Sequence, residues 1–326
     1  MMKQIILDVD TGIDDALALI VAARLTREFR IVGVTTVAGN VGVLDTTENT
    51  RAVLGLVGRA DVPVAAGAAA PLFRPLRMAP AFHGTKGLGE IDAALWTTPR
   101  APLLPESAAA FIARTARESP GQVTLIATGP LTNLALALKM NPALAGRLAE
   151  VVIMGGAIDV PGNASPTAEA NFLADPEAAQ IALAAGVPSV LVPLDVTEQV
   201  TVDRARLAEL SAAATRQPSP IADVALDILS FYLGAYESFG RSAAALHDPL
   251  AVVIAAKPGL AEAEPLAIQV ATHDPLTAGE CVVDRRPRSG RRPALPPNVR
   301  CCTRVDVAAC RELILAALVA AADDRH

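Results

Sequence analysis

The sequence predicts an α/β protein built on an open, doubly wound, mostly parallel sheet. Two observations carry this. Short β-branched runs alternate with longer Ala/Leu-rich amphipathic stretches. An acidic, glycine-containing turn directly follows the first apolar run, where open α/β sheets hold their ligands. Taken in order, residues 5–9 read as a strand and 14–26 as a helix whose first turn carries Asp14 and Asp15, favoured there by the helix dipole. Residues 31–37 read as a strand, 45–58 as a helix and 62–65 as a short strand. Helix is expected over 106–118, strand over 123–127, and helix over 132–140, stopped by Asn141-Pro142. Strand 151–154, helix 176–185 and strand 190–192 follow. Residues 203–257 have a helical pattern, 266–305 read as a few strands, and 307–322 as a final helix. The segments 71–105 and 155–175 are long loops, a length that points to function in a compact α/β protein. No repeat or dividing linker is visible, so one α/β domain over 1–326 is expected, with a helical excursion at 203–257 contributing to the site.

Composition narrows the function. The chain has 326 residues, 52% hydrophobic and 19% charged, which supports a large core and excludes a disordered chain. Aromatics are only 3%, which disfavours an aromatic-rich β-sandwich. The formal net charge of −6 argues against a nucleic-acid partner. The basic stretch 285–292 is broken by proline and reads as a solvated loop, with phosphate contact the alternative. Cys281, Cys301, Cys302 and Cys310 form no CxxC pair and read as small core residues in a reducing compartment. The start, Met1-Met2-Lys3-Gln4, shows no secretory pattern, and no apolar run approaches the ~20 residues of a membrane span. A cytoplasmic protein with no membrane partner is expected.

The sharpest signal is Asp8-Val9-Asp10-Thr11-Gly12-Ile13-Asp14-Asp15. Helix capping accounts for Asp14 and Asp15, but not for Asp8 and Asp10 crowded beside them. Carboxylates so close repel one another, and a bound cation relieves the repulsion. Hard oxygen ligands suit Ca²⁺ or Mg²⁺ rather than Zn²⁺.

This motif resembles that of the nucleoside hydrolase family, the inosine–uridine-preferring N-ribohydrolases. The similarity continues through Val37-Ala38-Gly39-Asn40, His83-Gly84-Thr85-Lys86-Gly87-Leu88-Gly89 and Thr128-Gly129-Pro130-Leu131-Thr132-Asn133. It also includes Met154-Gly155-Gly156, Ala168-Glu169-Ala170-Asn171-Phe172 with Asp175-Pro176, and His247-Asp248-Pro249. Leu276-Thr277-Ala278-Gly279 with Val282-Val283-Asp284 extends it towards the end of the chain. The resemblance implies a Rossmann-like sheet, a Ca²⁺ cofactor, a ribonucleoside substrate and a homodimer or homotetramer. The implied reaction is hydrolysis of the N-glycosidic bond to ribose and free base.

By the same resemblance, Asp10, Asp15, Asp248 and the carbonyl of Thr128 ligate Ca²⁺, and Asp10 is the general base for the attacking water. Asp14 binds the ribose 2′-hydroxyl and Asn40 positions that region. Asn163, Glu169 and Asn171 grip the other hydroxyls, and Met154 packs on the sugar. His247 is the candidate acid for the departing base. Taken singly, Asn163 reads as a turn residue, Thr128 as a strand end and Met154 as core; only the ordered set gives them roles. His83 contacts the base or belongs to a lid.

Tyr236 is the candidate base-facing aromatic, with Phe82 another available ring, while Phe231 and Tyr232 read as helix core. Purine-specific relatives sandwich the base between tryptophans, and this chain has only Trp96. Pyrimidine-preferring or broad specificity is therefore expected, with purine preference the alternative. Two other readings remain. One is a Ca²⁺-dependent ribose-binding protein without turnover. The other is a haloacid dehalogenase-type phosphatase using Asp8 as nucleophile, although Gly12 stands where that motif has Thr or Val.

Overall fold

The computed structural model describes residues 2–89, 91, 97, 99–286 and 295–320. Trp96, residues 287–292 of the basic stretch and the C-terminal His326 lie outside the described residues.

The expected architecture is present. Strands β1 (Lys3–Val9), β2 (Phe29–Thr36), β3 (Val64–Ala66), β4 (Val123–Ala127), β5 (Leu148–Met154) and β6 (Ser189–Val192) pair in parallel. The sheet order is β3-β2-β1-β4-β5-β6, and it is extended by β12 (Val299–Val305), parallel to β6, and β9 (Ala261–Leu266), antiparallel to β12. The chain builds outward from β1 on one side, then crosses to β4 and builds outward on the other. The reversal opens a crevice at the carboxyl ends of β1 and β4.

Side chains alternate across the sheet. Ile5, Leu7 and Val9 of β1 join one apolar cluster, with residues of α1 (Ile13–Arg24), α10 (Pro220–Ser238), α11 (His247–Ala256) and α12 (Val307–Val319). Ile6 joins the other, with residues of α4 (Ala108–Glu118), α5 (Thr132–Met140) and α7 (Pro176–Ala184). The remaining helices of the β1–β6 region are α2 (Val43–Leu56), α3 (Pro80–His83), α6 (Ala170–Ala174) and α8 (Leu194–Thr197). The four cysteines are buried free thiols, as expected of core residues. No helix among the described residues is long and apolar enough to cross a membrane.

Three local features depart from the sequence expectation. The proline-rich segment 71–105 contains the one-turn helix α3, which delivers Phe82 and His83. The region 203–257 is not uniformly helical. Between α9 (Arg204–Arg216) with α10 and the later α11, the chain forms β8 (Ala243–Ala245), which pairs antiparallel with β7 (Thr201–Asp203). This ribbon, with Leu246 N–H donating to Val200 O at 2.8 Å, sets the start of α11 and hence His247 and Asp248. Finally, β9 begins before residue 266, and β10 (Ile268–Val270) pairs with β11 (Cys281–Val283) in a separate ribbon.

Candidate active site

The carboxyl edge of the sheet gathers the residues singled out in the sequence. Asp10 follows β1, Asn40 follows β2, Thr128 follows β4 and Met154 ends β5. Asp14 and Asp15 occupy the first turn of α1 and Asp248 that of α11. Of these, Asp14, Asn40, Thr128, Met154 and Asp248 meet at a cavity of about 540 Å³ that His83, Asn163, Glu169, Asn171, Tyr236 and His247 also line, while Asp15 is buried outside its lining. That volume suits a small-molecule ligand.

The acidic floor is held in detail. Asp15 Oδ2 accepts the Gly12 N–H at 3.0 Å, a reach back from the third helical residue to the cap. Its Oδ1 accepts the Thr128 hydroxyl at 2.8 Å. Oxygens of Asp14, Asp15 and Asp248 lie within 4.8 Å of one another. Asp14 Oδ1 is buried without a hydrogen-bond partner. Burial, with the Asp14 charge beside it, pushes Asp15 up to about 6, and burial does the same to Asp14. Burial followed by the surrounding carboxylates holds Asp248 well above the usual range. A crowded all-oxygen donor set with an orphaned buried oxygen fits a hard divalent cation.

Asp10 lies beside this trio. Its Oδ2 accepts the Asn40 N–H at 2.7 Å. Burial and the Asp15 charge raise it well above the ordinary carboxylate value. It borders a second cavity of about 230 Å³ that shares Asn40 and Asn171 with the first. The structure thus joins Asp14 to Asp15 and Asp248, and sets Asp10 at the adjoining wall. Asp8 points elsewhere: its Oδ1 accepts from Thr35 Oγ1 at 2.6 Å and Asn133 Nδ2 at 2.8 Å. Asp8 does not line the cavity, so the phosphatase reading has no nucleophile there.

The polar loop 155–175 packs on the floor. Asn171 Nδ2 donates to Thr128 O at 2.6 Å and to Met154 O at 3.3 Å. Glu169 caps α6: its carboxylate accepts the N–H groups of Gly156, Asn171 and Phe172. Burial, opposed by these bonds, pushes Glu169 up to about 7. Asn163 Oδ1 accepts the Ala170 N–H at 3.0 Å, so it tightens the loop as well as lining the cavity.

The opposite wall is aromatic. Tyr232 and Tyr236, one helical turn apart on α10, meet edge to face with centroids 5.0 Å apart. Phe82 stacks on Phe239 at 4.6 Å and meets Tyr236 at 5.8 Å. His247 Nε2 lies 2.9 Å from the Tyr236 hydroxyl, and Nδ1 lies 2.7 Å from the Thr197 hydroxyl. His83 Nδ1 accepts the Ile13 N–H at 3.1 Å, which fixes a neutral ring. Burial lowers both histidines to about 4.

Tyr232 is buried in the core as expected, and it also reaches the site. It lines the cavity, and its hydroxyl is 3.5 Å from Asp14 Oδ2. Its spacing of four from Tyr236 was the available signal, since such pairs share a helix face. Phe231 packs partly buried against the core, with its ring beside Gly89. Sequence reasoning missed Glu198, Phe239 and Arg241, which line the mouth, and Thr197, which holds His247.

Acidic and aromatic side chains share one cavity on the carboxyl edge of a doubly wound sheet, the place where α/β enzymes bind small molecules. The family model of the inosine-uridine preferring nucleoside hydrolases matches residues 5–312. The pyrimidine-specific ribonucleoside hydrolase RihA of Salmonella arizonae is 37% identical over 303 residues, covering 90% of this chain and 92% of the relative. Among solved structures, a plant nucleoside hydrolase, PpNRh1, superposes with a TM-score of 0.90 at 31% identity, over 98% of this chain and 100% of that one. A purine-preferring ribonucleoside hydrolase from Gardnerella vaginalis gives a TM-score of 0.86 at 30% identity, over 97% and 98%. The chain belongs to the nucleoside hydrolase family.

Proposed function

We propose that this enzyme hydrolyses ribonucleosides to ribose and free base, with pyrimidine nucleosides preferred, and that it uses Ca²⁺. The observation that carries the reading is the cluster of Asp14, Asp15 and Asp248 at an aromatic-walled cavity that Asp14 and Asp248 line. The kinship to pyrimidine-specific hydrolases supports the base preference.

By the family resemblance, Asp15 and Asp248, joined by Asp10 and the Thr128 carbonyl from the adjoining wall, would hold the ion, and Asp14, the third carboxylate of the trio, would border it and reach the ribose 2′-hydroxyl. When bound, the ion offsets the carboxylate charge and supplies a Lewis acid for oxygen ligands. The protein's own residues supply the rest. Asp10, fixed by the Asn40 N–H, takes the proton of the attacking water. The anionic floor stabilises the positive charge that develops on an oxocarbenium-like sugar. Asn40, Asn163, Glu169 and Asn171 orient the ribose, and Met154 packs beneath it. Tyr236, with His247 behind it, faces the base.

The test is release of free base and reducing sugar from uridine, cytidine, inosine and adenosine, with and without a Ca²⁺ chelator. Chelator-sensitive release, greatest from uridine and cytidine, supports the proposal. No release from folded protein that still binds ribose favours the non-catalytic reading. Greatest release from inosine overturns the pyrimidine preference.

A further inference from the structure

The geometry points to Arg241 as the residue that carries the charge of the departing base, an inference that rests on the hydrolase reading above. When the C1′–N bond breaks, its electron pair stays with the base. Water forms the new bond to C1′ and gives its proton to a carboxylate. The base therefore leaves as an anion unless a proton reaches it first, and it is neutralised by solvent afterwards.

Among the described residues lining the cavity, Asp14, Glu169, Glu198 and Asp248 are acids that repel such an anion. His83 is a neutral ring because its Nδ1 accepts the Ile13 amide. Both nitrogens of His247 are already engaged by the Thr197 and Tyr236 hydroxyls. Arg241 is the one permanent cation in that lining.

Its placement is built. After α10 the chain turns at Gly240, whose φ of +78° suits glycine, and the Arg241 N–H donates to Tyr236 O at 3.1 Å. The guanidinium lies 5.7 Å from the Tyr236 ring centroid, and Nη1 bonds Glu198 Oε1 at 2.9 Å. A guanidinium carries five N–H donors, so an ion pair through Nη1 leaves others for keto oxygens of a base stacked on the aromatic wall. The charge of a departing uracil spreads onto such oxygens, which links this residue to the pyrimidine preference.

The test compares Arg241→Met and Arg241→Lys with wild type on uridine, 5-fluorouridine and p-nitrophenyl riboside, a series of progressively better leaving groups. Loss of a transition-state charge partner costs about 10²-fold. Arg241→Met should lose about that much kcat/KM on uridine, less on 5-fluorouridine, and almost nothing on p-nitrophenyl riboside. Arg241→Lys should recover part of the loss. The p-nitrophenyl riboside rate also reports whether the variant is folded. Equal losses on all three substrates would reduce Arg241 to a structural clamp and overturn the inference. Unchanged uridine turnover would mean that the His247–Tyr236 pair delivers a full proton, leaving no charge to hold, and would also overturn it. Failure of wild type on every substrate would instead bring down the hydrolase reading itself.

Discussion

Alanine at Gly39 probes the placement of Asp10 without touching its chemistry. The Gly39 backbone lies outside the left-handed region, so alanine meets only a steric demand. Its Cβ would stand 2.1 Å from Asp10 Oδ2, 2.9 Å from Asp10 Cγ and 3.0 Å from Pro130 Cδ. Regaining ordinary contact forces the carboxylate back by about 1 Å. That retreat breaks its 2.7 Å bond from the Asn40 N–H. A hydrogen bond to a charged acceptor contributes about 1.5–3 kcal/mol, so Tm should fall by a few degrees at this chain length. Misplacement of a reacting group by ~1 Å costs about 10²-fold in rate. Gly39→Ala should therefore lose about that much kcat on uridine while remaining folded, read by steady-state kinetics and a thermal melt. A variant with kcat within about threefold of wild type and an unchanged melt would show that this cradle does not hold a working base.

Asp8→Asn should keep kcat near wild type, because the Asn Oδ1 can still accept from Thr35 and Asn133, away from the cavity. Its Tm at alkaline pH should be equal or higher, since burial makes the Asp8 charge costly and pushes its carboxyl up to about 6; a collapse of turnover would revive the phosphatase reading. The buried acids also set a pH dependence of the chelated protein. Burial raises Asp8, Asp14 and Asp15 from 3.8 to about 6 and Glu169 from 4.5 to about 7, so the folded state binds protons more tightly than the unfolded one. Their contribution is fully present below about pH 4 and is lost as pH rises through about 6 to 7. Tm measured in chelator should fall over that rise, and added Ca²⁺ should restore most where the acids are ionised; a Tm that climbs with pH would contradict this assignment.

Much of the fold was legible because its strands and helices are long and periodic. Residues 123–127 and 132–140 coincide with β4 and α5, where five buried strand residues meet a helix stopped at Asn141-Pro142. The ribbon of β7 and β8 was not legible, since three alanines at 243–245 carry no strand preference and pair through long-range contact. The site was legible where a motif clusters in sequence, as in Asp10, Asp14 and Asp15. It failed for Arg241 and Glu198, which come together across 43 residues at the cavity mouth. The role of Asp8 was equally hidden, because its partners Thr35 and Asn133 lie 27 and 125 residues away.

Asp10→Asn is the most direct test of the mechanism. Turnover of uridine and binding of ribose, measured on the same Ca²⁺-loaded preparation, separate catalysis from recognition. Removal of a general base costs about 10²–10⁴-fold, so kcat should collapse to that extent while ribose still binds. A loss below about tenfold, with ribose binding intact, would contradict the assignment of Asp10 as the base.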